Sequence, residues 1–80
     1  MTTTITKVVL PELGEGIKNA TIACWHIRVG EPVTEGDDVV ELVTDKATFN
    51  VPAPRSGIIK QILVDEGKEA LVGSTLAIIE

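Results

Sequence analysis

Glycines and prolines interrupt this 80-residue chain so often that little room is left for a helix. They stand at Pro11, Gly14, Gly16, Gly30, Pro32, Gly36, Pro52, Pro54, Gly57, Gly67 and Gly73. The runs between them are short and rich in Val, Ile and Thr, which is typical of β-strands. The pattern predicts an all-β domain with strands near 5–10, 21–29, 38–44, 47–52, 57–64 and 75–80. Residues 33–34 and 70–71 are predicted to add very short strands.

The second half of the chain repeats the first with a shift of 37 residues. Gly30 falls on Gly67, and the apolar positions of 20–43 coincide with those of 57–80. Two like halves predict a flattened β-barrel or sandwich of two antiparallel sheets with quasi-two-fold symmetry and about four strands in each sheet. We expect each half to supply one sheet, because neither half could bury its apolar face alone.

The predicted strand at 21–29 alternates between two faces, as strand side chains do. The more apolar set is predicted to face the core: Ala23, Trp25, Ile27 and Val29. The opposite face carries Ile22, Cys24, His26 and Arg28.

The charge of the chain argues against nucleic acid as a partner. The formal net charge is −5 and the pI is near 4.7, whereas phosphate binding needs clustered Lys and Arg. No apolar run is long enough to span a membrane, and a single cysteine favours a reducing compartment. The N terminus resembles neither a signal peptide nor an Arg-rich presequence. We therefore expect a bacterial cytoplasmic location, or the mitochondrial matrix if a presequence has been removed.

One lysine, Lys46, lies where two predicted strands have almost nothing between them. Asp45 and Lys46 are therefore predicted to be the central pair of a tight hairpin turn, with the Asp45 carboxylate bonding nearby backbone N–H groups. Ala47 is small and leaves the approach to the lysine open. A mobile side chain on a rigid scaffold is a common way to place function.

The strand after this turn can anchor it in either of two registers. In one register Phe49 and Val51 face the core and Thr48 and Asn50 face solvent; in the other the faces are exchanged. Lys68, in the segment DEGKEA, also lies near a turn and is the main rival of the tip lysine.

The surroundings of Lys46 resemble the lipoyl domain of 2-oxo acid dehydrogenase complexes, and the resemblance covers essentially the whole chain. The matching segments are LPELGEG at 10–16, EGDDVVELVTDKATFNVPAP at 35–54 and SGIIKQILVDEG at 56–67. The resemblance implies that a lipoate ligase or lipoyl transferase attaches lipoic acid to Lys46 through an amide. It also implies that Thr44, Asp45 and Ala47, together with the loop at 11–19, help partner enzymes to recognise the turn. The predicted loop contacts are Glu12, Leu13, Gly14 and Glu15.

The resemblance implies a non-catalytic swinging-arm acyl carrier, because the cofactor performs the chemistry. The lipoyl group would be reductively acylated by a thiamine-dependent 2-oxo acid decarboxylase. It would carry the acyl thioester to an acyltransferase core and be reoxidised by dihydrolipoyl dehydrogenase. The pyruvate complex is preferred and the branched-chain complex comes next. Residues 1–80 are expected to form a single domain, the N-terminal part of a longer acyltransferase chain.

Three alternatives stay open. A biotinyl carrier domain shares the fold, but that family usually flanks its lysine with methionines, and here the flanks are Asp45 and Ala47. An unmodified β-sandwich interaction module would leave Lys46 free. Cys24 and His26 could serve an enzyme or a metal site, but no further Cys or His exists, so no metal site is predicted. Cys24 is expected to be a small filler and His26 a solvated neighbour.

Overall fold

Eight strands make up the part of the chain that the structure describes, residues 5–80 of a computed structural model. Their bounds are β1 Thr6–Val9, β2 Asn19–Trp25, β3 Pro32–Val33, β4 Asp38–Val43, β5 Thr48–Pro52, β6 Gly57–Ile62, β7 Glu69–Leu71 and β8 Thr75–Ile79. The all-β prediction is confirmed, including the two very short strands. Residues 5–80 include no helix long and apolar enough to cross a membrane.

The strands form two four-stranded sheets in which every neighbouring pair is antiparallel. The first sheet has the order β1-β8-β6-β3, and the second has the order β5-β4-β2-β7. The shift of 37 residues carries β2, β3 and β4 onto β6, β7 and β8, and it thereby exchanges the two sheets. The predicted quasi-two-fold sandwich is confirmed.

The two halves are interlocked, so the prediction that each half supplies one sheet is wrong. β3 pairs with β6 of the other half, and β7 pairs with β2. Reciprocal backbone bonds close this exchange: Gly30 N–H donates to Ile59 O at 2.7 Å, and Gly67 N–H donates to Ile22 O at 2.8 Å. The physical reason is that each half alone would leave backbone groups of β2 or β6 without partners.

Apolar side chains alone fill the space between the sheets. The buried residues are Val8, Leu10, Ala20, Ile22, Val33, Val39, Val40, Leu42, Val51, Ala53, Ile59, Ala70, Leu76, Ala77 and Ile79. Across the described residues, no polar or charged side chain is buried. Burying each larger aliphatic side chain contributes about 1.5–3 kcal/mol. The scaffold is therefore held by the core, and the polar chemistry is confined to the surface.

A β-bulge at Ala23 changes which side of β2 faces the core. Ile22 pairs with Leu42 and Cys24 pairs with Glu41, so Ala23 is an extra residue without a partner. Such an extra residue shifts the alternation of side chains by one position.

The bulge explains where the predicted faces of β2 are wrong. At the bulge Ala23 is exposed, and the preceding Ile22 is buried, against the prediction. Beyond it, Trp25 and Ile27 pack against the core, as predicted. Val29 is 58% exposed, because β2 ends at Trp25 and does not continue to residue 29.

Gly57 marks a close approach between the start of β6 and the end of β8. A Cβ atom at this position would lie 2.6 Å from Ile79 Cγ2 and 2.8 Å from Glu80 O. The repeat places Ala20 at the equivalent position of the other half, where a methyl group is present. The two halves thus share a backbone plan but are not packed identically.

Candidate functional site

The hairpin of β4 and β5 carries the predicted site at its end. Val43 pairs with Thr48, so only four residues connect the two strands. Phe49 packs against the core and Val51 is buried, whereas Thr48 and Asn50 are exposed. The register that turns Phe49 and Val51 towards the core is confirmed, and the hairpin end is anchored by apolar packing beneath it.

The hydroxyl group of Thr44 organises the turn. Thr44 Oγ1 accepts hydrogen bonds from the backbone N–H groups of Lys46 at 3.3 Å and Ala47 at 3.2 Å. It donates to the Ala47 carbonyl oxygen at 3.1 Å, which also accepts the Thr44 backbone N–H at 2.9 Å. One side chain therefore closes the turn from within the four residues.

The predicted tight turn at Asp45 and Lys46 is confirmed, but the role predicted for the Asp45 carboxylate is wrong. In the range 5–80 that carboxylate makes no hydrogen bond, and the Thr44 hydroxyl bonds the backbone N–H groups in its place. The turn contains no residue with a positive φ, so it needs no glycine. The Asp45 side chain is left exposed beside the lysine.

The Lys46 side chain is exposed at the tip of the hairpin. Within the described residues no carboxylate lies at ion-pair distance from the Lys46 amine. The ion pair that residues 5–80 do form joins Lys60 Nζ to Glu80 Oε2 at 3.5 Å. The backbone N–H of Lys46 is bonded to Thr44, whereas its ε-amine is without a partner in that range. The turn therefore fixes the position of the lysine while its amine stays accessible.

An open groove runs beside Lys46, between the hairpin and the chain that precedes and begins β2. Residues 16–21 line one side, residues 43–46 line the other, and Glu69 also contributes. The loop at 11–19 is predicted to lie near the hairpin. Its last four residues, 16–19, do line the groove beside the hairpin. Lys18 is a second lysine among the residues that line the groove.

The predicted recognition residues are divided by this geometry. Thr44 and Asp45 line the groove with Lys46. The others do not line it: Glu12, Leu13, Gly14, Glu15 and Ala47. Ile17 N–H donates to Gly14 O at 3.2 Å and closes a turn in which Gly16 has a φ of +82°, a conformation that suits glycine. The role of all these residues in recognition stays a prediction.

Lys68, the rival lysine, is also exposed, but its backbone is bonded into the sandwich. Its N–H donates to Asp65 O at 3.1 Å, and its C=O accepts the Ile22 N–H at 2.9 Å. The neighbouring Gly67 N–H donates to Ile22 O. Lys68 therefore lies where the chain crosses to β2, and it does not stand on a projecting hairpin.

Cys24 and His26 lie together, as predicted, with a third residue that sequence reasoning missed. One ligand-type atom from each of Cys24, His26 and Glu41 lies within 4.8 Å of the others. Burial raises the pKa of the Cys24 thiol, and the Glu41 and Glu66 carboxylates raise it further. A raised pKa disfavours the thiolate that a nucleophile requires, which argues against catalysis by Cys24. Only the pairing register of β2 and β4 could have revealed Glu41.

The sequence matches the family model described as "Biotin-requiring enzyme", which covers biotin and lipoyl attachment domains, over residues 6–79. It is 39% identical over 71 residues to the dihydrolipoyllysine-residue acetyltransferase component of the pyruvate dehydrogenase complex of Staphylococcus epidermidis. It is 35% identical over 71 residues to the corresponding component of Staphylococcus aureus. Each alignment covers 89% of this chain but only 16% of the relative.

Two solved structures share the fold. The lipoyl domain of the 2-oxoglutarate dehydrogenase complex from Azotobacter vinelandii superposes with a TM-score of 0.75 at 32% identity, over 92% of this chain and 94% of that domain. The urea carboxylase of Kluyveromyces lactis superposes with a TM-score of 0.82 over 100% of this chain and 6% of the carboxylase. The second pair is 21% identical, and that likeness concerns the fold alone.

Proposed function

This chain belongs to the biotin- and lipoyl-attachment family, and we propose that it carries a lipoyl group in amide linkage on Lys46. A lipoyl domain is a carrier and is not catalytic by itself. The observation that supports the site most directly is the accessible amine of Lys46 at the end of a hairpin whose turn is closed by Thr44. Lys46 is chemically suited to the group, because its exposed ε-amine can attack a lipoyl carboxylate that ATP has activated, forming the amide as the activating group leaves.

The residues around Lys46 have distinct roles in this proposal. Thr44 holds the backbone of the tip, so that a lipoate ligase or lipoyl transferase meets the lysine at a constant position. Ala47 is small and leaves one side of the lysine open. Acylation removes one positive charge, so the net charge would move from −5 to about −6. When bound, the lipoyl group supplies a redox-active dithiolane that takes up and releases acyl groups.

We propose the pyruvate dehydrogenase complex as the assembly that this domain serves. The support is the 39% identity to an acetyltransferase component of that complex, together with the resemblance of LPELGEG and TDKAT. The partners would be a thiamine-dependent decarboxylase, an acyltransferase core and dihydrolipoyl dehydrogenase. The branched-chain complex is the next candidate, and the structural neighbour from a 2-oxoglutarate complex adds a third to be tested.

Two expectations about the whole protein stay predictions. The chain spans 16% of the length of the curated relatives, so its place as the N-terminal domain of a longer acyltransferase is proposed from them. The bacterial cytoplasmic location rests on the sequence alone.

Intact mass spectrometry tests the attachment site. The chain is incubated with a lipoate ligase, ATP and lipoate, as wild type, as Lys46→Arg and as Lys68→Arg. We expect one lipoyl group on the wild type and on Lys68→Arg, and none on Lys46→Arg. A lipoyl group on Lys46→Arg, or none on the folded wild type, would contradict the proposal.

A parallel incubation with a biotin ligase and biotin separates the other carrier family. Biotin on the wild type without lipoate would establish a biotinyl carrier, and no modification in either reaction would favour the interaction module. The lipoylated chain is then offered to the pyruvate, branched-chain and 2-oxoglutarate decarboxylases with their substrates. We expect acylation to be fastest with pyruvate.

A further inference from the structure

Cys24, His26 and Glu41 form a compact cluster on the outer face of the sheet that carries Lys46. Cys24 and Glu41 are direct partners in the register of β2 and β4. His26 lies two residues beyond Cys24, and its backbone N–H donates to Val39 O at 2.9 Å. One sulfur, nitrogen or oxygen atom of each cluster residue lies within 4.8 Å of the other two.

The bulge at Ala23 creates this arrangement. The extra residue moves Cys24 into register with Glu41. Without the bulge, Ala23 would stand opposite Glu41 and the thiol would turn to the opposite face. The cluster thus depends on a local irregularity of β2.

A neighbouring amide orients the histidine ring. Asn50 is the partner of Glu41 on β5, so Cys24, Glu41 and Asn50 form one row across three strands. His26 Nε2 lies 3.3 Å from Asn50 Oδ1. The tautomer in which Nε2 donates to this amide oxygen leaves a lone pair on Nδ1 that a metal can take. Metal-binding histidines are commonly held in this way through their other ring nitrogen.

The charge around the thiol favours a cation. The Glu41 carboxylate lies beside the thiol, because Glu41 is the strand partner of Cys24. Glu66 is held beside the strand, because it accepts the Trp25 backbone N–H at 3.2 Å. A divalent cation would be attracted by the same carboxylates and would displace the thiol proton.

We propose that Cys24, His26 and Glu41 bind a divalent transition metal of the zinc class. A thiolate, an imidazole and a carboxylate are all zinc ligands, and three protein ligands leave a fourth position for water. Ligand atoms around tetrahedral zinc lie about 3.5 Å apart, so small side-chain rotations suffice to close the cluster. The expectation of no metal site counted only Cys and His, and the strand register adds Glu41.

The other half of the molecule shows that the cluster is not a by-product of the scaffold. The shift of 37 residues places Gln61, Leu63 and Ile78 at the positions of Cys24, His26 and Glu41. The equivalent face therefore has the same backbone plan without any of the three ligands.

Zinc titration of the reduced 80-residue chain tests the proposal by competition with a chromophoric chelator. We expect one zinc ion per chain. Cys24→Ser and His26→Gln should each weaken zinc affinity by at least about 100-fold, and Asn50→Ala by about tenfold, because it removes only the group that orients the ring. Glu41→Gln should also weaken binding, whereas the matched control Glu12→Gln should not.

Cobalt(II) substitution identifies the ligands directly. The wild type should show a thiolate-to-cobalt charge-transfer band that Cys24→Ser lacks. His26 is exposed, so His26→Gln keeps the fold and isolates the loss of a ligand. Zinc affinity that is unchanged in Cys24→Ser and His26→Gln, or a cobalt complex without the thiolate band, would overturn the proposal. Lys46→Arg should bind zinc as the wild type does, so this outcome is independent of lipoyl attachment.

Discussion

The two halves of the molecule have the same backbone plan, but only one half carries chemistry. The glycines at the exchange turns are repeated, with φ values of +94° at Gly30 and +83° at Gly67. The backbone bonds that interlock the sheets are repeated as well. At the end of β4 the chain turns through Thr44 and Lys46, and the positions of Cys24 and Glu41 hold Gln61 and Ile78 in the other half.

This difference separates the residues that build the scaffold from those that use it. Residues that obey the repeat are apolar or glycine and hold the sandwich together. Residues that break it, such as Lys46, Thr44, Cys24 and Glu41, lie on its surface. A domain of this size can therefore change its chemistry with little effect on its core.

The largest effect is expected from one extra glycine between Asp45 and Lys46. The insertion displaces the amine and disrupts the bonds to Thr44, but it leaves the paired strands and the core intact. We expect lipoylation to slow by at least about 100-fold, because such misplacement of a reacting group costs about that much. A time course of intact mass with lipoate ligase measures it, and circular dichroism checks the fold. A glycine inserted between the exposed residues Pro54 and Arg55 is the control, and equal rates in the two variants would contradict a positional role for the turn.

Gly57→Ala tests whether the two halves are packed differently. The new methyl group would meet Ile79 Cγ2 and Glu80 O at distances below ordinary contact. We expect a loss of about 1–3 kcal/mol in the free energy of unfolding, measured by urea denaturation. Ala20→Gly, at the equivalent position, should cost about 1 kcal/mol, mainly through backbone entropy. If Gly57→Ala were as stable as the wild type, the close approach of β6 and β8 would not be limiting.

Thr44→Val removes the hydroxyl that closes the turn between β4 and β5. Because the turn is exposed, water replaces part of the lost bonding, and we expect a loss of about 0.5–1 kcal/mol in the free energy of unfolding. Lipoylation should slow several-fold, since the tip is then less well fixed. Thr44→Ser should restore both properties, and Thr48→Val serves as a control on the adjoining strand. A wild-type rate for Thr44→Val would show that the main chain alone holds the turn.

The smallest effect concerns the acidity of Cys24. Burial and the nearby carboxylates raise the pKa of its thiol, so less thiolate is present at a given pH and alkylation should be slower than for a free cysteine. In the presence of a chelator, the pH midpoint of alkylation should fall in Glu41→Gln. Cys24→Ser combined with Gln61→Cys places a thiol at the equivalent position without the carboxylates, and its midpoint should be lower. Equal midpoints for the two cysteines would contradict the electrostatic asymmetry.

The features that could be predicted from the sequence are those that depend on the spacing of residues along the chain. Glycine spacing and the repeat predicted the sandwich and its symmetry, and the position of Lys46 between two apolar runs predicted the hairpin tip. The bulge at Ala23 could not be predicted, because nothing in a single strand shows that its partner lacks a residue. The exchange of β3 and β7 and the meeting of Cys24 with Glu41 depend on pairing between distant segments. In the turn, the backbone N–H groups are bonded by the Thr44 hydroxyl and not by the Asp45 carboxylate. This choice depends on a side-chain orientation that composition does not determine.

Because β1 pairs with β8, residues near 5 and residues near 80 lie side by side in the first sheet. Thr6 pairs with Ile79 there, as Val43 pairs with Thr48 at the hairpin. A circular permutant that joins Glu80 to Ile5 through a short linker and begins at Lys46 would keep every strand pairing of the sandwich. It would place the new N terminus at Lys46 itself. Such a chain would keep the fold but would no longer hold the lysine in a closed turn. The effect of the turn on the display of the amine could then be measured apart from folding.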